Sequence, residues 1–138
     1  MKKNTAAMVA DIVLLVLCAA LMLGVRLVFH ACGPKEDGSW MTCHWAEMSV
    51  FVLSIAMTVT ALARLLVRDE GMRRGMALAL VPFAGAAAVL PQGVIRLCMM
   101  QDMRCHAVMR PAVIVCAVLI AAAAIACTVL RRGEKAAR

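Results

Sequence analysis

The chain has 138 residues, of which 64% are hydrophobic and 17% are charged, and its mean hydropathy is +0.90. This composition excludes a disordered chain, which needs low hydrophobicity and high net charge. It also argues against a soluble enzyme, because so short a chain cannot enclose that much apolar surface in one core. The net charge of +7 is not accompanied by the aromatic residues expected of a nucleic-acid-binding protein, since these make up 4%. The basic residues lie beside apolar segments, so the expected partner is a lipid bilayer and not nucleic acid.

Four apolar segments of near-spanning length follow one another along the chain, at about residues 6–29, 48–67, 75–97 and 111–130. None has the alternation of a barrel strand. Each backbone polar group in hydrocarbon needs an internal partner, so each segment is predicted to be a helix. The expected fold is all-α: a single four-helix transmembrane domain over residues 1–138, with outer loops at 30–47 and 98–110.

Lysine and arginine residues are unevenly distributed between the two sides of this topology. Ten fall on one side: Lys2, Lys3, Arg64, Arg68, Arg73, Arg74, Arg131, Arg132, Lys135 and Arg138. Five fall on the other: Arg26, Lys35, Arg96, Arg104 and Arg110. Cytoplasmic loops carry the excess of such residues, so the N and C termini are expected to be cytoplasmic and the loops at 30–47 and 98–110 to face outward.

The two halves of the chain share an order of residues. In each half a Gly-Val-Arg-Leu-like sequence closes a span, and a cysteine and a Met-x-Cys-His sequence follow. The matched positions are Gly24 and Gly93, Cys32 and Cys98, Met41 and Met103, Cys43 and Cys105, and His44 and His106. Both hairpins run out and back in the same sense. The sequence therefore predicts two similar helical hairpins related by a parallel pseudo-twofold repeat.

Four of the seven cysteines fall in the predicted outer loops, namely Cys32, Cys43, Cys98 and Cys105. The outer compartment is oxidising, and an even number of cysteines in small loops is typical of a disulfide framework. Pairing within each hairpin would respect the repeat, although four cysteines allow three connectivities. Disulfide-closed outer loops are the leading interpretation.

A soft-metal site is a second interpretation of the same region. Methionine and cysteine sulfurs suit Cu(I), and imidazole suits copper or zinc. The candidate ligands beyond the cysteines are Met41 with His44 and Met103 with His106, two pairs at i, i+3 spacing. Copper or zinc is therefore the possible cofactor.

Thiol–disulfide chemistry is a third interpretation. The layout is similar in outline to four-helix membrane oxidoreductases that pass electrons from protein thiols to quinone, but their Cys-x-x-Cys sequence is missing. A covalent haem attachment motif is excluded, since Trp40 and Asp102 stand where its first cysteine is needed. No nucleotide-binding glycine-rich motif is present in the sequence.

Two charged residues lie inside the predicted spans near the inner side. Asp11 falls in the first span and Arg64 at a similar depth in the second. We expect them to form an intramembrane charge pair or to reach toward the interface. A proton-relay role for Asp11, in a small transporter, is the weaker alternative.

The pattern around these cysteines resembles a bacterial and archaeal membrane family catalogued as domain of unknown function 4418. The residues that carry the resemblance are Met41-Thr42-Cys43-His44-Trp45, Pro91, Cys98, Met103-Arg104-Cys105 and Pro111, and the resemblance covers about Leu21 to Leu130. It implies four spans in the cytoplasmic membrane of a prokaryote and implies no reaction. The charged loop 34–38 is longer than the family pattern.

We therefore expect an integral cytoplasmic-membrane protein with disulfide-closed outer loops. Its leading role is that of a non-enzymatic accessory or interaction subunit, and its partner is another membrane protein or a transporter subunit. The alternative is an extracytoplasmic protein that handles soft metals or exchanges thiols through the outer Cys, His and Met residues. Whether the protein is an enzyme stays open at this point, with the weight toward a non-enzyme.

Overall fold

The computed structural model describes residues 2–95, 97, 99 and 102–136, with side chains at 5–95, 97, 99 and 102–130. This part of the chain consists of helices and their connections and contains no strand. The elements in chain order are α1 (Lys2–Leu27), α2 (Thr42–Leu66), α3 (Glu70–Val89), a π-helical turn (Leu90–Val94), a second π-helical turn (Cys105–Met109) and α4 (Arg110–Ala136).

Four helical segments are long and apolar enough to cross a membrane, namely Thr5–Leu27, Thr42–Leu66, Glu70–Val94 and Cys105–Leu130. Only 28–33% of each segment's most apolar window is buried inside the protein. The remaining apolar side chains face outward around the whole bundle, which is compatible with lipid as the solvent. The prediction of an all-α, multi-pass membrane protein is confirmed.

The second and fourth spans begin earlier than the apolar pattern predicted. Helix α2 starts at residue 42 instead of 48, and the fourth span starts at residue 105 instead of 111. Helical periodicity continues through this polar stretch, because Cys43, Ala46, Glu47 and Val50 are all buried at helical spacing. Hydropathy alone undercounts such turns. Cys43 and Cys105, expected in loops, therefore lie on the first turns of their spans.

The four helices surround one core. Helix α1 contacts α2 and α4, and helix α3 contacts the same two, so α2 and α4 lie diagonally across the bundle. The buried residues recur at three- and four-residue spacing on each helix, as at Leu14, Cys18, Leu21 and Val25 of α1. Alanine supplies three of the four buried residues of α3, and small residues allow helices in lipid to approach closely.

The end of the bundle that carries the α1–α2 and α3–α4 connections is called the outer end, and the opposite end the inner end. At the outer end α1 closes with a wide turn, in which the backbone N–H groups of Val28 and Phe29 both donate to the carbonyl of Gly24, each at 2.9 Å. The Phe29 ring then folds back over Gly24, where an added Cβ would overlap the ring atoms. A larger residue at position 24 would therefore require the Phe29 ring to shift.

Helix α3 widens into a π-helical turn at its outer end. Pro91 has no N–H group and cannot continue the α-helical hydrogen bonds, and the N–H of Ile95 donates to the carbonyl of Leu90 at 3.1 Å. Gln92 Nε2 donates to the carbonyl of Ala88 at 3.0 Å, and its Oε1 accepts from Arg110 Nη2 at 3.3 Å. The Gln92 side chain thereby joins the end of α3 to the start of α4.

Candidate thiol cluster at the outer end

Three cysteines from different parts of the chain converge at the outer end. Cys32 lies in the α1–α2 connection, Cys43 in the first turn of α2, and Cys105 at the start of the π-helical turn before α4. Their Sγ atoms all lie within 4.8 Å of one another. Cys43 and Cys105 are fully buried, and Cys32 is half-buried. These three residues are called the thiol cluster.

The chain enters its second and fourth spans in the same way. The carbonyl of Met41 accepts from the N–H of His44 at 3.0 Å, and the carbonyl of Met103 accepts from the N–H of His106 at 2.9 Å. In both cases the cysteine lies one residue before the donating histidine. The N-terminal ends of two helical segments therefore meet at the thiol cluster. Such ends carry a partial positive charge that favours anionic groups.

Glu47 connects the Cys32 loop to the helix that carries Cys43. It lies one helical turn after Cys43, is only 6% exposed, and accepts the backbone N–H of Ala31 at its Oε2, at 2.8 Å. Arg26 Nη1 donates to Glu47 Oε1 at 3.4 Å, and the Arg26 guanidinium lies over the Phe51 ring, 4.9 Å from its centroid. Glu47 thus fixes the residue next to Cys32 relative to α2.

Glu47 was not singled out by the sequence analysis. The available signal was its spacing, since Cys43, Glu47 and Val50 recur on one helical face. Arg26, counted above only among the cations of the outer side, is half-exposed and engaged with Glu47 and Phe51.

The histidines that sequence analysis singled out contribute no ligand atom to the thiol cluster among the described residues. The His44 ring stacks on Trp40, with centroids 4.0 Å apart and planes inclined by 23°, and meets Trp45 edge-on at 5.8 Å. His106 is half-buried. Imidazole therefore lies beside the thiol cluster and outside it.

The two predicted methionine ligands pack against the core cluster to which Cys43 and Cys105 belong, and both are partly buried. Met41 precedes α2 with extended backbone (φ −72°, ψ 156°), so Met41 and His44 do not share a helical face. Cys98, the fourth predicted cysteine, lies outside the described residues, as does Arg96.

No two described cysteines have their Sγ atoms at the disulfide distance of about 2.05 Å. The thiol cluster is instead wider than a bond. A metal held by thiolates at about 2.3 Å spaces its ligand sulfurs by roughly 3.8 Å in tetrahedral geometry. The observed spread of up to 4.8 Å would contract by about an ångström to reach that value. The donor set and its spacing fit a soft metal ion.

A second group of interacting side chains, a set of ion pairs centred on Asp11, lies at the inner end. Arg64 Nη2 donates to Asp11 Oδ1 at 2.6 Å, and the side chains of both residues are 1% exposed. Arg73 Nη2 donates to Asp11 Oδ2, and Arg73 Nη1 lies 3.6 Å from Glu70 Oε1. Sequence analysis named Asp11 and Arg64 as a pair and did not place Arg73 with them. One carboxylate therefore joins α1, α2 and α3.

The fold is that of a four-helix multi-pass membrane protein, with the thiol cluster at the outer end of its core and the ion pairs of Asp11 at the inner end. A family described as Domain of unknown function (DUF4418) matches residues 14–130. The chain belongs to that family, as its sequence resemblance suggested. No curated protein and no solved structure matches the chain.

Proposed function

We propose that this protein binds a soft metal ion on the outer side of the membrane through the thiolates of Cys32, Cys43 and Cys105. The observation that carries the proposal is the convergence of their three Sγ atoms, from both halves of the chain, within 4.8 Å. A purely structural pair of cysteines would not need a third sulfur at that distance. We further infer that the two hairpins form a repeat, with cytoplasmic termini, in the cytoplasmic membrane of a prokaryote.

Cu(I) is the metal that this donor set favours. Soft thiolate and thioether ligands select Cu(I), whereas zinc sites are usually completed to four ligands, often with imidazole. The described cluster offers three sulfurs and no imidazole or carboxylate. Met41 and Met103 pack against the same core and supply further soft sulfur nearby. Burial of Cys43 and Cys105 supports metal binding over thiol exchange, which needs accessible sulfur.

The test is a Cu(I) titration of the reduced protein in nanodiscs against a chromophoric Cu(I) chelator. We expect one Cu(I) per chain and at least a hundredfold weaker binding in C43S and in C105S. The matched control is C116S, because Cys116 lies within α4 and is outside the thiol cluster. Binding that is absent in the wild type, or equal in C43S and C116S, would overturn the proposal.

A second candidate function keeps the same cysteines as disulfides in an accessory subunit. The oxidising outer compartment favours it, and the three sulfurs already lie within 4.8 Å of one another. Alkylation of untreated membranes separates the two candidates. Metal-binding thiols are labelled after a chelator removes the metal, whereas disulfides are labelled only after reduction. Labelling of Cys43 and Cys105 without a reductant would exclude the disulfide candidate.

A transport role based on Asp11 has less support. Both carboxylate oxygens of Asp11 accept from arginine side chains, and the residue is buried. A carboxylate that bonds to two arginines in this way is tied to structure, which disfavours proton exchange with a passing substrate.

A further inference from the structure

The inner end contains enclosed arginine donors that no described residue satisfies. Arg64 Nε and Nη1 and Arg73 Nε are each enclosed, and none of them has a hydrogen-bond partner among the described residues. Arg64 uses only Nη2, for its bond to Asp11. An unsatisfied buried donor costs about 1–3 kcal/mol, and more when the group is charged. Three such atoms in one place therefore indicate that an acceptor belongs there.

The local charge balance gives the sign of that acceptor. The single carboxylate of Asp11 faces two guanidinium groups. Among the described residues, Glu70 is a second acid in contact with Arg73, at 3.6 Å, and its side chain is 59% exposed. A partner in that position is screened by solvent and offsets little of a buried charge. The missing acceptor is therefore an anion.

The position and shape of the arginine donors indicate which class of anion they would bind. Arg64 lies in the last turn of α2 and Arg73 in the first turns of α3, at the boundary of the apolar spans. Planar guanidinium groups match the oxygens of phosphate in a two-pronged manner. Basic pockets between transmembrane helices at the cytoplasmic boundary are suited to phosphate-bearing headgroups.

We propose that Arg64 and Arg73 form a binding site for a phosphate oxyanion at the inner end of the bundle. Arg73 is the point of entry, because its side chain is 17% exposed while those of Arg64 and Asp11 are 1% exposed. Outward movement of the Arg73 side chain opens the enclosed donors of Arg64 to the phosphate. The pair of Asp11 and Arg64 stays in place and holds the Arg64 guanidinium.

The test uses the whole protein in two arms. In one arm, phosphatidylcholine nanodiscs are titrated with inorganic phosphate, against sodium chloride of equal ionic strength. In the other arm, the nanodiscs contain phosphatidylglycerol in place of part of the phosphatidylcholine. Thermal unfolding is followed in both arms, and native mass spectrometry counts retained phosphatidylglycerol in the second. A midpoint raised by inorganic phosphate identifies a free anion, and one raised only by phosphatidylglycerol identifies a lipid headgroup.

The test variant is R73Q and its control is R68Q. Arg68 lies in the connection between α2 and α3, is exposed and carries the same charge as Arg73. R64Q is less useful, since it removes a fully buried partner of Asp11 and so mixes an effect on folding with an effect on binding. We expect phosphate or phosphatidylglycerol to bind about tenfold more weakly to R73Q and unchanged to R68Q, as loss of one charge-assisted hydrogen bond predicts. No midpoint shift in either arm, or equal responses of R73Q and R68Q, would overturn the site.

Discussion

Glu47 Oε2 lies 2.8 Å from the backbone nitrogen of Ala31, so a carboxylate on α2 holds the loop residue that precedes Cys32. Ala31 is 4% exposed, and its N–H group would be left buried without this acceptor. The geometry of the thiol cluster therefore depends on a residue that contributes no sulfur to it.

Glu47→Ala is expected to lower the free energy of unfolding by about 1–3 kcal/mol, the cost of an unsatisfied buried donor. Glu47→Gln keeps a carbonyl oxygen for Ala31 and should cost less. The measurement is thermal or denaturant unfolding in detergent, with Glu36→Ala as the control because Glu36 is exposed. A positioning role also predicts weaker Cu(I) binding in Glu47→Ala than in Glu47→Gln. Equal stability of Glu47→Ala and Glu36→Ala would contradict this account.

Asp11→Asn is expected to destabilise the protein by about 3–5 kcal/mol, because it removes the carboxylate between the buried guanidinium of Arg64 and that of Arg73. The midpoint of thermal unfolding should fall well below that of the wild type. Asp102→Asn serves as the control, since Asp102 is exposed. If both variants unfold at the same temperature, the bonds of Asp11 to Arg64 and Arg73 contribute nothing to stability.

Gly24→Ala is expected to cost about 1–3 kcal/mol through overpacking, because the new methyl group would overlap the Phe29 ring. Gly85→Ala is the matched control, as a Cβ at residue 85 meets nothing within 4 Å and alanine favours helix. The combination of Gly24→Ala with Phe29→Ala should recover part of the loss measured in Gly24→Ala. A Gly24→Ala protein as stable as Gly85→Ala would show that the ring moves aside freely.

Ser39→Ala is expected to raise the pKa of Asp37 toward its ordinary value. The Ser39 hydroxyl and then the Ser39 backbone N–H hold the pKa of this carboxyl below that value by donating to Oδ1, at 2.7 Å and 3.0 Å. A lowered folded-state pKa stabilises the fold above the unfolded-state pKa, and this contribution is lost as pH falls through the folded-state pKa. A titration of Asp37 by carboxyl NMR in both proteins makes the comparison. An unchanged pKa would mean that the Ser39 hydroxyl bond is not formed in solution.

Hydropathy and residue order predicted the parts of the fold that depend on local composition. The four spans follow from the length of the apolar segments. Cys43 and Cys105 are separated by two spans, so a chain that crosses the membrane twice between them returns to the same end, as their proximity requires. Asp11 and Arg64 were paired because their depths in the spans match. These inferences need only the rise per residue of an α-helix and the alternating direction of successive spans, which follows from the number and order of the apolar segments.

The contacts that sequence reasoning missed depend on how the helices face one another. Arg73 reaches Asp11 because α3 begins beside α1 and α2, and the direction of a long side chain from a helix end is set by packing. His44 was a candidate ligand from its spacing, and the sequence did not indicate that its ring stacks on Trp40. Glu47 connects the Ala31 loop to α2, and this contact depends on how the loop packs against the helix.

The wide turn at Cys105–Met109 holds one more residue than an α-helical turn, and the N–H of Arg110 donates to the carbonyl of Cys105 across it. Deletion of a single residue such as Ala107 would convert this turn to ordinary α-helix and swing everything on its N-terminal side by about 100° around the axis. Cys105 would then point along a different azimuth from Cys32 and Cys43. The sulfur constellation is thus tied to chain length at one position, so insertions and deletions there alter its chemistry without touching a cysteine.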